Sequence, residues 1–353
     1  KIYAVHLTPN GSTYTATKEE FVTGGPLPVS DAIIGHDGAM YFTIGGRRVQ
    51  SGLYRVSYVG KGSVAPSDKS DRSDASDKAM AVRRSLEAFH GKQDPKALST
   101  AWPHLSSEDR YIRAAARTVL EHQPLAEWQD KALSETTPTA QLEALLALTR
   151  LTGVCPTHRT SPTSQTDTKS RDQILAALLK HDFAKLTNEQ KLGYVRLIEI
   201  VLHRFGNPDA ATVAAIIAKL DPSYPADNFE LNWLLTETLA YLQAPNTAAK
   251  GMALIAAAES QEPQMEYARS LRFLKTGWTP ELRTQQLEWF LKAANYKGGA
   301  SFDKFIEFIR NDSLDTCTDA QKSHLAELIA KKPEVKSAIE NVGAIFAGRT
   351  PTM

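Results

Sequence analysis

Arg47 and Arg48 follow Gly45-Gly46 directly, so two planar, permanently charged guanidinium groups stand on a loop whose glycines allow close approach to a ligand. Such a pair suits carboxylates or polar groups of a sugar-derived compound. Asp31 opens the first of three short apolar runs, 31–34, 39–44 and 53–58, which read as an antiparallel meander. Successive strands of a meander reverse direction, so the segments 24–30 and 45–51 emerge at the same end. Asp31, Arg47 and Arg48 are therefore the candidate substrate- or cofactor-binding residues. The competing reading is that the arginines are solvated loop side chains and that Asp31 caps a turn.

Other residue types with chemical potential are isolated. Cys155 and His158 both ligate zinc in suitable sites, but they lie in a Thr/Ser/Pro-rich loop with no second pair nearby, and no metal site is expected. His90, His104, His122, His181, His203 and His324 are scattered over predicted helices without i, i+4 pairing. Trp233, Trp278 and Trp289 fall on apolar stripes or helix starts and are expected in the core. The chain carries neither a GxGxxG nor a phosphate-loop pattern, and no C-x-x-C-H for haem attachment, so no cofactor is expected within it.

The 353 residues have a formal net charge of +1, which gives no electrostatic footprint for nucleic acid or an anionic membrane. A hydrophobic content of 42% allows a sizeable core. No run approaches the roughly 20 apolar residues of a membrane span, and two cysteines are too few for a disulfide framework.

The elements that must position these residues change character along the chain. Residues 1–8 and 20–23 read as two further strands separated by the turn signal Pro9-Asn10-Gly11, giving about five antiparallel strands within 1–60. A sheet region of this size, with open edges, cannot bury both faces, and the chain is read as a piece of a longer protein whose preceding part completes the sheets. KGSVAPSDKSDRSDASDK, residues 61–78, has almost no apolar side chains and reads as a flexible linker. Residues 79–353 read as helical. Ser107-Glu108-Asp109 predicts a helix start, followed by the stripe Ile112, Ala115, Ala116, Val119 and Leu120. Leu142, Leu145, Leu146 and Leu148 predict the buried face of another helix.

Residues 106–122, SSEDRYIRAAARTVLEH, resemble the second helix of a HEAT repeat, with Asp109 and Arg113 in the places that support the alanine run. SDAIIGHDGAMYFTIGGRRVQSGLYRVSY resembles the final blade of a glucose/sorbosone dehydrogenase-like propeller. With LEAFHG, AWPHLSSEDRYIRAAAR, LDPSYP, GWT and GGASF in this order, the chain resembles the C-terminal part of planctomycete-type membrane-bound dehydrogenase-like proteins. That resemblance implies a mainly α fold, an irregular HEAT-like α-solenoid preceded by a partial β-propeller made of the last two blades. It implies a fragment of an exported, periplasmic or extracellular redox protein. The propeller would oxidise a sugar or alcohol and pass electrons to a c-type haem in a cytochrome partner, with the helices as scaffold and spacer and no catalysis by this part alone. Asp31, Arg47 and Arg48 would border the channel mouth. Pyrroloquinoline quinone would serve in the intact protein, although Pro28 and Ser30 stand where such enzymes carry arginines. The alternative is a non-catalytic propeller and solenoid that binds carbohydrate or protein.

Overall fold

The computed structural model describes residues 1–46, 49–60, 74–153, 168–299 and 301–334. Alternating β-branched and aromatic residues form β1 (Ile2–Asn10) and β2 (Thr13–Val22), an antiparallel hairpin turning at Gly11-Ser12. The expected strand at 20–23 thus extends back to Thr13, because TYTATKEEFV pairs along its whole length with β1. β3 (Val29–Ile34), β4 (Met40–Gly46) and β5 (Val49–Val56) form the expected meander in the order β3-β4-β5. The two sheets are separate, and no closed ring of blades is present among the described residues.

Cross-strand pairing of Phe42 with Tyr54 brings their rings to 5.0 Å in a stack and leaves Phe42 3% exposed. On the opposite face, Arg55 donates to Asp37 and to the Tyr41 hydroxyl, which itself donates to Asp37 at 2.9 Å.

Helices α1 (Asp74–Glu87), α2 (Ala97–Ala101) and α3 (Arg110–Glu121) follow. Within the expected linker, 61–73 lie outside the described residues, while 74–78 are the opening of α1. Ser76, Met80 and Leu86 are its buried stripe, so the helix starts earlier than the polar composition suggests. Asp109 caps α3 as expected. Its Oδ1 accepts from Tyr111 N at 2.9 Å and Ile112 N at 3.3 Å, and Oδ2 accepts from Ser12 N in the hairpin turn at 2.7 Å. Gly11 has φ +56°, and a Cβ there would come within 2.8 Å of the same Oδ2. Burial raises the Asp109 carboxyl, but the amide bonds outweigh it and hold the group below its usual range. The Tyr14 hydroxyl adds a bond to Met80 Sδ at 3.6 Å.

Contacts divide the chain into two units, Lys1–Pro124 and Leu125–Met353. The second contains α4 (Gln129–Ser134), α5 (Pro138–Thr152), α6 (Thr168–Leu179), α7 (Asn188–Phe205), α8 (Ala210–Leu220) and α9 (Phe229–Tyr241). After these come α10 (Thr247–Ala257), α11 (Gln261–Leu271), α12 (Pro280–Ala293), α13 (Phe302–Asp315), α14 (Asp319–His324) and α15 (Ala326–Ala330). Its helices form two series. In the odd series α5 packs on α7, α7 on α9, α9 on α11 and α11 on α13. In the even series α4 packs on α6, α6 on α8 and α10 on α12.

Between α8 and α10 a 3-10 turn, Asp221–Ser223, intervenes. Asp221 there accepts from Lys250 Nζ on α10 at 2.9 Å and from Asn246, the residue before α10, at 3.0 Å. A polar bridge thus joins the end of α8 to α10. Elsewhere the interior is mainly apolar: Leu145, Leu235, Leu239 and Leu271 are 0% exposed. Of the expected α5 face, Leu142, Leu145 and Leu148 are buried. Leu146 sits at the edge, and Ala144 and Ala147 fill the tighter positions, because α5 is enclosed by α4, α6 and α7.

Candidate functional site

The residues singled out for chemistry at the loop of the meander are only partly described. Arg47 and Arg48 lie outside the described residues, as do Cys155 and His158. Asp31 is exposed on β3, and its Oδ1 accepts from the next backbone amide, Ala32 N, at 2.8 Å. That bond is local turn-like chemistry.

The histidines expected to be scattered include one close pair. The rings of His90 and His122 lie 6.1 Å apart, and His90 Nε2 is 3.0 Å from the Ala115 carbonyl. Among the described residues no group of three or more His, Cys, Asp or Glu side chains is placed to hold a metal. Cys317 is buried, and burial pushes its thiol up.

A groove of about 510 Å³ lies between α7 and α9. Thr187 and Gln190 start α7 with a reciprocal capping box. The helix then buries Tyr194, Val195, Leu197, Ile198, Val201 and Leu202, so Arg196, Glu199, Ile200 and His203, at the intervening three-and-four spacing, line the groove. From α9, Glu237, Thr238 and Tyr241 face them.

Glu199 is the best-buried charge at the floor, with a side chain 14% exposed, against 62% for Arg196 and 38% for Glu237. Its Oε1 accepts from Thr238 Oγ1 at 3.0 Å and its Oε2 from Arg196 Nη1 at 2.8 Å, which ties α7 to α9. Burial, with the like charge of Glu237 in addition, pushes the Glu199 carboxyl above its ordinary range against the bonds from Arg196 and Thr238. Glu237 accepts from Arg269 on α11 at 3.4 Å, while Arg269 bonds Glu266 more closely, at 2.8 Å, and lies 5.8 Å from the Trp233 ring. Tyr241 leaves half of its surface exposed at the rim. This combination of desolvated carboxylate, apolar wall and exposed aromatic suits recognition of an amphipathic group.

Sequence reasoning passed over Glu199, Glu237 and Tyr241. The available signal was the run of polar residues at 196, 199 and 203, which ordinarily marks a solvated helix face.

A second cavity, about 480 Å³, lies among α12, α13 and α15. Its Arg310 donates from Nη2 to the Ile329 carbonyl at 2.8 Å, a bond that joins α13 to α15.

No family model matches the chain, and neither a curated protein nor a solved structure matches it. No helix among the described residues is long and apolar enough to cross a membrane. Together these findings overturn the resemblance to planctomycete-type membrane-bound dehydrogenase-like proteins.

The motifs that carried it have local roles that any stack of short helices needs. AWPHL is the end of α2 and a 3-10 turn, Trp102–Ser106, leading to the Asp109 cap. LDPSYP is the corner between α8 and α9, where the Tyr224 hydroxyl accepts from Thr236 at 2.9 Å. In GWT, Trp278 Nε1 donates to the Leu274 carbonyl at 2.8 Å and Thr279 caps α12 at Leu282 N. Gly277 has φ +74°, and a Cβ there would come within 2.0 Å of the Pro245 carbonyl oxygen.

Proposed function

We propose that this chain is a protein-binding scaffold in which the helices of the second unit form an irregular HEAT-like stack and the α7–α9 groove receives a polypeptide segment. The observation that carries this reading is the groove itself, whose floor is a part-buried interhelical bond, Thr238 to Glu199, and whose rim is an exposed tyrosine. The floor is fixed by the fold, while Ile200, His203 and Tyr241 remain available to a partner. Pairing of odd and even helices supports the same reading, since a layered stack holds one row of interhelical grooves open along each face.

Photo-crosslinking tests it. A benzophenone amino acid at position 241 or 203 is expected to give polypeptide adducts in cells. The same group at Lys185, whose side chain is 84% exposed on the turn between α6 and α7, is expected to give few. Equal adducts from all three positions, or none from 241 and 203, would overturn the proposal.

A further inference from the structure

The charges around the groove are unevenly satisfied. Glu199 and Glu237 line the same cavity, and the two nearby arginines compensate them incompletely. Arg196 is mostly in solvent, where an ion pair contributes little, and Arg269 favours Glu266 over Glu237. The desolvated Glu199 carboxylate has a like charge as its neighbour on α9. A cation entering the groove would relieve both the desolvation and the repulsion. The rest of the lining fits the stem of a basic side chain: Ile200 is half-buried beside Glu199, and Tyr241 offers an exposed ring on which a guanidinium stacks.

We propose that the α7–α9 groove seats an arginine or lysine side chain of the partner segment, its cation between Glu199 and Glu237 and its stem along Ile200 and Tyr241. This rests on the scaffold reading and names the chemistry of the partner: a short peptide segment with a basic residue between apolar neighbours.

The test uses the full chain and two probe peptides, acetyl-Ala-Leu-Arg-Leu-Ala-amide and its counterpart with citrulline, which keeps the shape of arginine and removes its charge. Calorimetry is expected to show the arginine peptide binding about tenfold more tightly. Its addition should shift the methyl signals of Ile200 and the ring signals of Tyr241. Glu237→Gln, at the rim, is expected to weaken arginine binding, and the double variant Glu199→Gln/Glu237→Gln to bring it down to the level of the citrulline peptide measured on the same variant. Glutamine at 199 keeps a partner for Thr238, and a cooperative unfolding transition with the wild-type helical circular-dichroism signal verifies that the variants fold.

Equal binding of the two peptides, or no shifts at Ile200 and Tyr241 at millimolar peptide, overturns the basic seat. If crosslinking from position 241 persists in that case, the scaffold reading stands and only the nature of its partner is wrong. Absence of crosslinking together with absence of peptide binding overturns both.

Discussion

Leu53 and Leu145 carry the same side chain to opposite fates: on β5 it is 70% exposed, and in α5 it is 0% exposed. The difference runs through both regions. Ile33 and Ile34 on β3 are 68% and 66% exposed, and Tyr3, Val5 and Leu7 form an open stripe on β1. In the helical unit the two series face each other, so an apolar stripe on one helix meets a stripe on the next, and side chains such as Leu235, Leu239 and Leu271 are sealed. A sheet with apolar residues on both faces needs a layer against each, whereas an amphipathic helix needs only one stripe covered. Apolar residues in the strands therefore hold the pairing through cross-strand contacts such as Phe42 on Tyr54. In the helices they hold the fold through burial.

The sharpest way to break this contrast is at α5. Leu145→Ala is expected to cost roughly 2–5 kcal/mol in denaturant unfolding of the helical unit, the transfer free energy plus the cavity left behind. A cost near that of a surface substitution would mean that the two series do not seal their interface.

The next largest effect belongs to the polar fastening between hairpin and helix. Asp109→Ala removes the α3 cap and the bond from Ser12 N, and is expected to cost about 1–2 kcal/mol. Hydrogen exchange at the Ser12 amide should accelerate with it. Because the carboxyl is held below its usual range, its contribution is present above the ordinary aspartate pKa and is lost as pH falls through the depressed value. A pH-independent difference between the wild type and Asp109→Asn would show that the charged form is not what fastens the hairpin.

The groove gives the opposite sign and a smaller effect. Glu199 is raised in the folded state, so the folded protein holds the proton more tightly and stability contributed by this group declines as pH rises through the interval between the ordinary and raised values. Glu199→Gln is expected to flatten that part of the stability profile, with wild type and variant differing most above the interval. Unfolding curves collected from acid to neutral pH check it, and parallel profiles would place the groove carboxylate in effectively solvated surroundings.

The smallest effect sharpens the contrast from the other side. Leu53→Ala is expected to change stability by no more than about 0.5 kcal/mol, because the side chain has little burial to lose. A loss approaching that of Leu145→Ala would reveal a covering for β5.

Local chemistry was legible in the sequence where it is completed within a few residues. Ser107-Glu108-Asp109 announced the α3 cap, and the spacing of Ile112, Ala115, Ala116 and Leu120 announced its buried stripe. The three-strand meander was legible from its aromatic and β-branched runs. Features made from distant segments were not. Glu199 and Glu237 meet only because α7 packs on α9, and each alone looks like a solvated charge.

Arg283 shows the same limit. It is 1% exposed, held by Gln286 and Thr316 and stacked 4.0 Å from Trp278, with burial lowering its pKa to about 10. A basic residue on a helix carries no sign of that burial in its spacing. The family resemblance failed for a related reason: caps, corners and tight glycines are dictated by helix ends as such, and similar short strings arise wherever short helices are joined.

The corner at Gly277 has a consequence for mutational drift. Its positive φ disfavours any β-carbon, and the Pro245 carbonyl oxygen occupies the space such an atom would need. Two loops separated by two helices of sequence are therefore bound to a shared constraint. Descendants of this chain that keep the α9–α10 and α11–α12 corners in contact must keep glycine at this position, and Gln243, which bonds Phe273 O and Lys275 N across the same corners, drifts under the same restraint. Those that lose the glycine must first move the loops apart.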